Sequence, residues 1–262
     1  MRKLFTLLLL TCFVSANEHF AKVEPFESVT IKAEASGEVL AADKGQEGKV
    51  VDGVIVHIDD LLSKKDLNST LESLELTKKM IAVNSDMVAA LKKNVTKKRA
   101  LFEKVSPLST ASVNQKDSLY GAYVSAKSQY NSVLEKILSL KNQKVTLEQK
   151  VHLLKDTIVK KTIVAKSKYL YKLMVQKGEF VTVGMPLVTL QSIDRGKLTL
   201  FLSRDELDGI KKKTIYIDGK KSDLKIDKIW SVADAQFISS YRVEIVVPQP
   251  KEFSKLVKVE FK

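Results

Sequence analysis

The sequence has few residues that interrupt secondary structure and a single cysteine. It contains ten glycines and five prolines among 262 residues, and aromatic residues make up only 7%. A chain so poor in turn-forming residues must run through long, uninterrupted helices or strands. Because Cys12 has no second cysteine to pair with, a disulfide within the chain is excluded.

The sequence also lacks a recognisable catalytic constellation. Its three histidines, His19, His57 and His152, fall in three separate regions, and none has a second ligand at metal-binding spacing. The glycines match no phosphate-binding loop. We therefore predict a protein that is not an enzyme and that has no cofactor and no metal site.

Net charge is the strongest compositional feature, at +13. Such a charge is typical of nucleic-acid-binding proteins in the cytosol. The basic residues are spread along the predicted helices, as on solvated faces, and the N-terminus indicates export, so no nucleic acid is expected as a partner. Attraction to anionic lipid headgroups or to an acidic protein stays open as an alternative to a purely solubilising role.

The N-terminus has the pattern of a signal peptide, at 1–16. Arg2 and Lys3 precede an apolar run at 4–14, which is too short to span a bilayer. Small residues up to Ala16 predict cleavage after that residue. Cleavage would remove Cys12 and place the mature protein in the periplasm, associated with the cell envelope.

Two other fates of this segment stay open. The apolar run could remain as an uncleaved anchor, or Cys12 could be lipidated instead of removed. Lipidation is disfavoured because Thr11 is bulkier than the residue that normally precedes a lipidated cysteine.

Residues 61–158 have apolar side chains at heptad spacing on both sides of Pro107, as expected for a coiled coil. Pro107 must end the first helix, and Ser112 has the spacing from Gln115 that is typical of a capping residue. Two such helices joined by a short break predict an antiparallel hairpin about 65 Å long. The heptad positions are Leu67, Leu74, Ile81, Val88, Val95 and Phe102, then Leu119, Ala126, Val133, Leu140, Leu147 and Leu154, with a second register at Tyr123, Tyr130, Ile137, Lys144, Val151 and Ile158.

The first helix carries a further, weaker apolar series: Met80, Met87 and Leu101, with Val83 and Ala90 beside it. One interpretation is a widened seam in which methionine fills gaps. The other is lateral packing against a neighbouring hairpin in a ring.

The hairpin separates two strand-rich segments, at 23–60 and 160–195. Each is too short for an independent domain, but an antiparallel hairpin brings its own two ends together. We therefore predict one β domain that is split by the hairpin, followed by a small β-barrel at 196–262. The fold class is an elongated, multidomain α+β protein.

Several motifs resemble one known family. They lie at 30–39, 48–59, 177–188 and 226–247, in order around the coiled coil. The pattern is similar to the periplasmic adaptors, or membrane fusion proteins, of tripartite efflux pumps in the HlyD-like superfamily. That resemblance implies a lipoyl-like (barrel-sandwich) domain with an inserted α-hairpin. The turn glycines that it implies are Gly37, Gly48, Gly53, Gly178 and Gly184.

The resemblance also implies how such a protein acts. The hairpin tip would dock on an outer-membrane channel of the TolC type through Lys97, Leu101 and Ser112, with Lys98 or Arg99 as substitutes for Lys97. The β domains would grip an inner-membrane transporter of the resistance-nodulation-division (RND) type, and adaptors would self-associate into a ring. An adaptor of an ABC-type exporter, and a periplasmic coiled-coil chaperone or spacer, remain alternatives. The transported substrate is not readable from the sequence.

Overall fold

The computed structural model describes residues 18–234, 236–237 and 239–262. The predicted signal peptide at 1–16, including Cys12, lies outside these residues. In the described part of the chain, none of the helices combines the length and hydrophobicity that a bilayer span requires. The chain folds into a long helical hairpin and two β units.

Two long helices form the hairpin. Helix α1 spans Leu61–Val105 and helix α2 spans Val113–Lys160. The first helix ends two residues before Pro107, whose ring cannot continue a helix. The second is preceded by its N-cap residue Ser112, whose Oγ accepts a hydrogen bond from the Gln115 amide at 3.2 Å. At 1.5 Å per residue, the 45 residues of α1 give a rod about 65 Å long.

The seam between the two helices is apolar on α2 and mixed on α1. Both predicted registers of α2 face inward, and even Lys144 in the second register is half-buried. On α1 the predicted apolar row is joined by a second row with the same spacing of seven residues, which is polar. Its buried members are Thr70, Thr77 and Asn84.

The widened-seam interpretation of the α1 methionines is wrong. Met80 is 46% exposed, Met87 is 49% exposed, and Val83 beside them is also exposed. They lie outside the seam because the polar row already occupies the second inward position of α1. The exposed apolar residues therefore form a stripe on the outside of the hairpin.

The first β unit is built from the two segments that flank the hairpin. Its strands are β1 (His19–Lys32), β2 (Gly37–Ala42), β3 (Val50–Ile58), β4 (Thr162–Leu173), β5 (Phe180–Val181) and β6 (Pro186–Ser203). They lie side by side in the order β5-β2-β3-β4-β6-β1, with antiparallel pairing throughout. The core of this unit includes Val39, Ile58, Leu170 and Leu187, all fully buried.

The second β unit has its own core, which includes Leu198, Leu202, Val243 and Val259. A short helix, α3 (Arg204–Leu207), follows β6 and leads into a 3₁₀ turn at Ile210–Lys212. The remaining strands are β7 (Ile215–Ile217), β8 (Lys220–Lys221), β9 (Ile226–Ile229), β10 (Ser240–Pro248) and β11 (Leu256–Phe261).

Strands β1 and β6 run through both β units. Residues 27–32 of β1 pair with β6 in the first unit, whereas residues 19–22 pair with β11 in the second. Strand β6 has 18 residues, so at about 3.3 Å per residue it is at most about 60 Å long. These shared strands place the hairpin, the first β unit and the second β unit in a line.

Candidate functional site at the hairpin tip and base

The tip of the hairpin is a closed, hydrogen-bonded loop. The amide of Leu108 donates to the carbonyl of Val105 at 3.1 Å, and the amide of Ala111 donates to the carbonyl of Leu108 at 3.4 Å. Below the loop, the rings of Phe102 and Tyr120 contact each other with centroids 5.4 Å apart. The last turn of α1 and the first turns of α2 are therefore held in a defined position.

Two of the three predicted tip residues share one face. Lys97 and Leu101 are both exposed on α1, and four residues along a helix correspond to about 6 Å of rise. Ser112 lies beyond the loop, at the start of α2, and its hydroxyl is engaged in capping that helix. Lys97 and Leu101 thus lie on one exposed face of α1, and Ser112 caps the start of the neighbouring helix α2.

Lys97, Lys98 and Arg99, the three basic residues considered for the tip, differ in their surroundings. Lys98 is half-buried, because it lies seven residues after Leu91 in the second seam row of α1. Arg99 is engaged, since its Nε donates to Glu103 Oε1 at 2.7 Å. Among the ion pairs of the described residues, none involves Lys97, so its ammonium is available to a partner.

The tip as a whole is basic. Residues 92–117 contain seven lysines and arginines and only two acidic residues, Glu103 and Asp117. A surface with this surplus produces a positive potential, which attracts an acidic surface and repels a basic one. An acidic partner is the kind that this end of the molecule can bind.

At the opposite end, the hairpin is joined to the first β unit by backbone and side-chain hydrogen bonds. The Ile58 amide donates to the Lys161 carbonyl at 2.8 Å, and Lys161 Nζ donates to the Asp59 carbonyl at 2.6 Å. The Asp59 amide donates in turn to the Glu38 carbonyl at 2.8 Å. These bonds connect both helix ends to β2 and β3.

A charged cluster at the start of α1 strengthens this junction. Asp60 is only 6% exposed, and its Oδ2 lies 2.9 Å from Lys64 Nζ and 3.3 Å from His57 Nε2. The hydrogen bond from Lys64, together with the one from His57, holds the pKa of Asp60 below its usual value despite burial. This cluster was not among the predicted sites, although the spacing of three residues from His57 to Asp60 and four from Asp60 to Lys64 is a usable signal in the sequence.

The predicted turn glycines all lie in the β domain, at positions where the backbone conformation or close packing favours glycine. Gly37 approaches the hairpin base so closely that a Cβ there would lie 2.7 Å from Ile58 Cγ2, which is shorter than real Cβ contacts. The other four have φ in the left-handed region, which favours glycine. They are Gly48 (φ +78°), Gly53 (φ +98°), Gly178 (φ +86°) and Gly184 (φ +90°).

Two of these glycines join the halves of the split domain. The Gly178 amide donates to the Val39 carbonyl, and the Gly184 amide donates to the Ala33 carbonyl, both at 2.8 Å. Residues from before and after the hairpin therefore form one folded unit. Over the same described residues, no group of three or more His, Cys, Asp or Glu side chains is arranged to hold a metal ion.

No family model matches the sequence, and no curated protein is similar to it at a significant level. The fold has relatives among solved structures. The structure is similar to MacA from Actinobacillus actinomycetemcomitans, with a TM-score of 0.64 and 16% identity over 94% of this chain and 78% of MacA.

Two further structures share the fold. A chimera of MacA with the α-hairpin domain of Pseudomonas aeruginosa MexA gives a TM-score of 0.62 with 14% identity, covering 94% of this chain and 81% of the chimera. The membrane fusion protein Spr0693 from Streptococcus pneumoniae gives 0.54 with 11% identity, covering 94% of this chain and 98% of Spr0693. The chain therefore has the fold of the membrane fusion proteins, the family that its sequence motifs resemble.

Proposed function

We propose that the protein is a periplasmic adaptor, which links an inner-membrane transporter to an outer-membrane channel in tripartite efflux. The observation that carries this proposal is a rod about 65 Å long, inserted into a split β domain. A compact domain has no need of helices this long. They do suit a spacer that holds two membrane proteins at a fixed separation.

In this proposal the tip docks on a channel of the TolC type. Leu101, at 43% exposure, supplies an apolar anchor, and Lys97 supplies an ion pair to an acidic group. Ser112 keeps the start of α2 in the orientation that the contact requires. The basic surplus of the tip would speed association with an acidic channel end.

The two β units would contact the transporter. The resemblance favours the RND type, and an ABC-type exporter is the alternative that fits the same architecture. The transporter supplies the energy, and the adaptor contributes geometry.

A ring of adaptors would enclose the conduit. Its support is that both helices carry exposed apolar stripes: Leu76, Met80, Val83 and Met87 on α1, and Val124, Leu138, Val145 and Val159 on α2. Stripes on opposite helices of one hairpin can pair with those of the next copy.

Single cysteines test the docking model, because the chain outside the predicted signal peptide has none. We would place Cys at Lys97 and at Leu101, with Leu153→Cys near the base as the control. All three positions are exposed on the hairpin. The expected result is crosslinking to an outer-membrane channel from the two tip positions only. Crosslinks from position 153 with none from 97 or 101 would refute docking through the tip.

A transport assay adds a functional readout. Leu101→Asp should abolish efflux in a strain that lacks the gene. Leu153→Asp, which changes the same residue type at a more exposed position near the base, should not. Strains would be compared for tolerance to dyes, bile salts, drugs and metal ions. Affinity capture from crosslinked envelope membranes would identify the transporter as RND-type or ABC-type. Unchanged tolerance on gene loss, with no transporter captured, would favour the chaperone or spacer alternative.

A further inference from the structure

The second β unit carries a dense cluster of lysines, which we name the lysine patch. All six side chains are exposed, and none of them is in an ion pair with a described carboxylate. The patch consists of Lys211, Lys212, Lys213, Lys220, Lys221 and Lys225.

The patch lies on the far side of the first β unit from the hairpin. Strand β6 begins beside the hairpin base, where the Ala33 amide donates to the Met185 carbonyl and Lys160 lies 3.7 Å from Glu34. It then runs through 18 residues to Ser203, and the lysine patch follows that end. A surface bound by the patch would therefore be on the opposite side of the molecule from the hairpin tip.

The positive charge of the second β unit is concentrated around the lysine patch. Residues 196–262 contain 14 basic and 10 acidic residues, and the segment 209–225 alone contains six basic and two acidic ones. The rest of this β unit has eight of each sign, so it is neutral. The entire positive surplus of the unit is concentrated in one segment of 17 residues.

The lysines also surround a recess. Four of them, Lys211, Lys213, Lys221 and Lys225, line a cavity of about 590 Å³, with Asp223 as the one acidic residue in its wall. Its wall includes Ile210 and Ile215, which belong to the core of the second β unit. The recess can admit an anionic group between the lysines, while the outer lysines face solvent.

We propose that the lysine patch binds the anionic phospholipid headgroups of a membrane surface. Lysine is a compact, strongly hydrated charge without the planar fork that arginine uses for specific paired contacts, and the patch contains no arginine. Its segment also exposes no large apolar side chain. A protein interface normally has an apolar core, whereas attraction to a charged lipid surface needs none. The proposal does not depend on which transporter the protein serves.

Vesicle sedimentation tests the proposal directly. The purified protein would be mixed with large vesicles of phosphatidylcholine alone, or with about one third phosphatidylglycerol. One variant carries Lys211→Gln, Lys212→Gln and Lys213→Gln. The matched control carries Lys141→Gln, Lys150→Gln and Lys155→Gln, so both variants lose the same charge. These three hairpin lysines are exposed and form no ion pair within the described part of the chain. Circular dichroism would verify that both are folded.

We expect binding to the anionic vesicles only, and a loss of binding in about 0.5 M salt because exposed charges are screened. Each lysine near an anionic surface strengthens binding about fivefold, so the patch variant should bind about 100-fold more weakly while the control changes little. Equal loss in both variants, or equal binding to neutral vesicles, would overturn the proposal. Release by about 10 mM glycerol phosphate would instead identify a soluble phosphate ligand. Failure to bind vesicles, with crosslinks from position 213 to an acidic envelope protein, would identify a protein partner. Release by glycerol phosphate and this crosslinking result would each overturn the proposal that the patch binds a membrane.

Discussion

Replacing the buried threonines of the α1 seam by valine should stabilise the hairpin. Thr70 and Thr77 are 4% and 3% exposed, and each hydroxyl donates to a carbonyl four residues earlier in its own helix, at 2.7 and 2.9 Å. Those carbonyls also accept the backbone amides of the helix, so removing the hydroxyls leaves no buried acceptor unpaired. A methyl group placed there in the seam gains burial instead.

The gain can be estimated from the burial of one methyl-sized group, which contributes roughly 0.8 kcal/mol. The double variant Thr70→Val, Thr77→Val should therefore be about 1.5 kcal/mol more stable. In a chain of this size, that raises the melting temperature by about 3 to 6 °C. Far-ultraviolet circular dichroism at 222 nm is a suitable assay, because the two long helices dominate the signal.

Thr96→Val is the matched control. Its hydroxyl makes the same kind of bond, to the Lys92 carbonyl at 2.9 Å, but the side chain is exposed. A substitution at such a site should change the stability by no more than about 0.5 kcal/mol. If the double variant melted at or below the temperature of the wild type, or if Thr96→Val stabilised the protein equally, the reasoning about the seam would be refuted.

Other predictions concern the base and the outer stripes. Gly37→Ala should destabilise the protein by about 1 to 3 kcal/mol in thermal melts, because its Cβ would overlap the buried Ile58. Gly121→Ala should instead stabilise it by up to about 1 kcal/mol, because the new methyl group lies in open space on helix α2. Asp60→Asn should lower the melting temperature at pH 7. Since the folded pKa of Asp60 lies below its usual 3.8, the difference in melting temperature between the variant and the wild type should shrink as the pH falls below about 4. A difference that grew instead would contradict the lowered pKa of Asp60. If copies pair through the outer stripes as proposed, Met87→Ser should weaken their self-association in sedimentation velocity and leave the melting temperature unchanged.

Much of the hairpin could be predicted from the sequence because local rules decide it. The ring of Pro107 blocks continuation of the helix that precedes it, and Ser112 caps the next helix by accepting a hydrogen bond from the Gln115 amide three residues away. The apolar rows of α2 are dense enough that both of its registers follow from spacing alone. The packing of two such helices against each other leaves little choice of architecture.

The second row of α1 could not be found by counting apolar residues. Thr70, Thr77 and Asn84 are polar, yet burial costs them little because each bonds to a carbonyl of its own helix. The exposed Met80 and Met87 are apolar, so a search for a second apolar row selects them instead. Thr70, Thr77 and Asn84 are followed at the same spacing of seven residues by Leu91, and only this shared register distinguishes the seam row from the outer stripe.

The tip and the base differ in how their chemistry arises. Lys97 and Leu101 are four residues apart on one helix, so their common face follows from spacing alone. At the base, the Ile58 amide donates to the Lys161 carbonyl, although the whole hairpin separates these two residues in the sequence. No local pattern reveals such a pairing, because it depends on how the two ends of the insertion meet.

This arrangement determines which motions the molecule can make. Along the rod the two helices support each other through a continuous seam, so the separation between tip and base is fixed by about 65 Å of helix. The rod is joined to the β domain through the few bonds around Asp60, Asp59 and Lys161. Local opening requires least energy where contacts are few. We therefore expect the hairpin to tilt about its base while its length stays constant, which would suit the proposed role as a spacer between two membrane proteins.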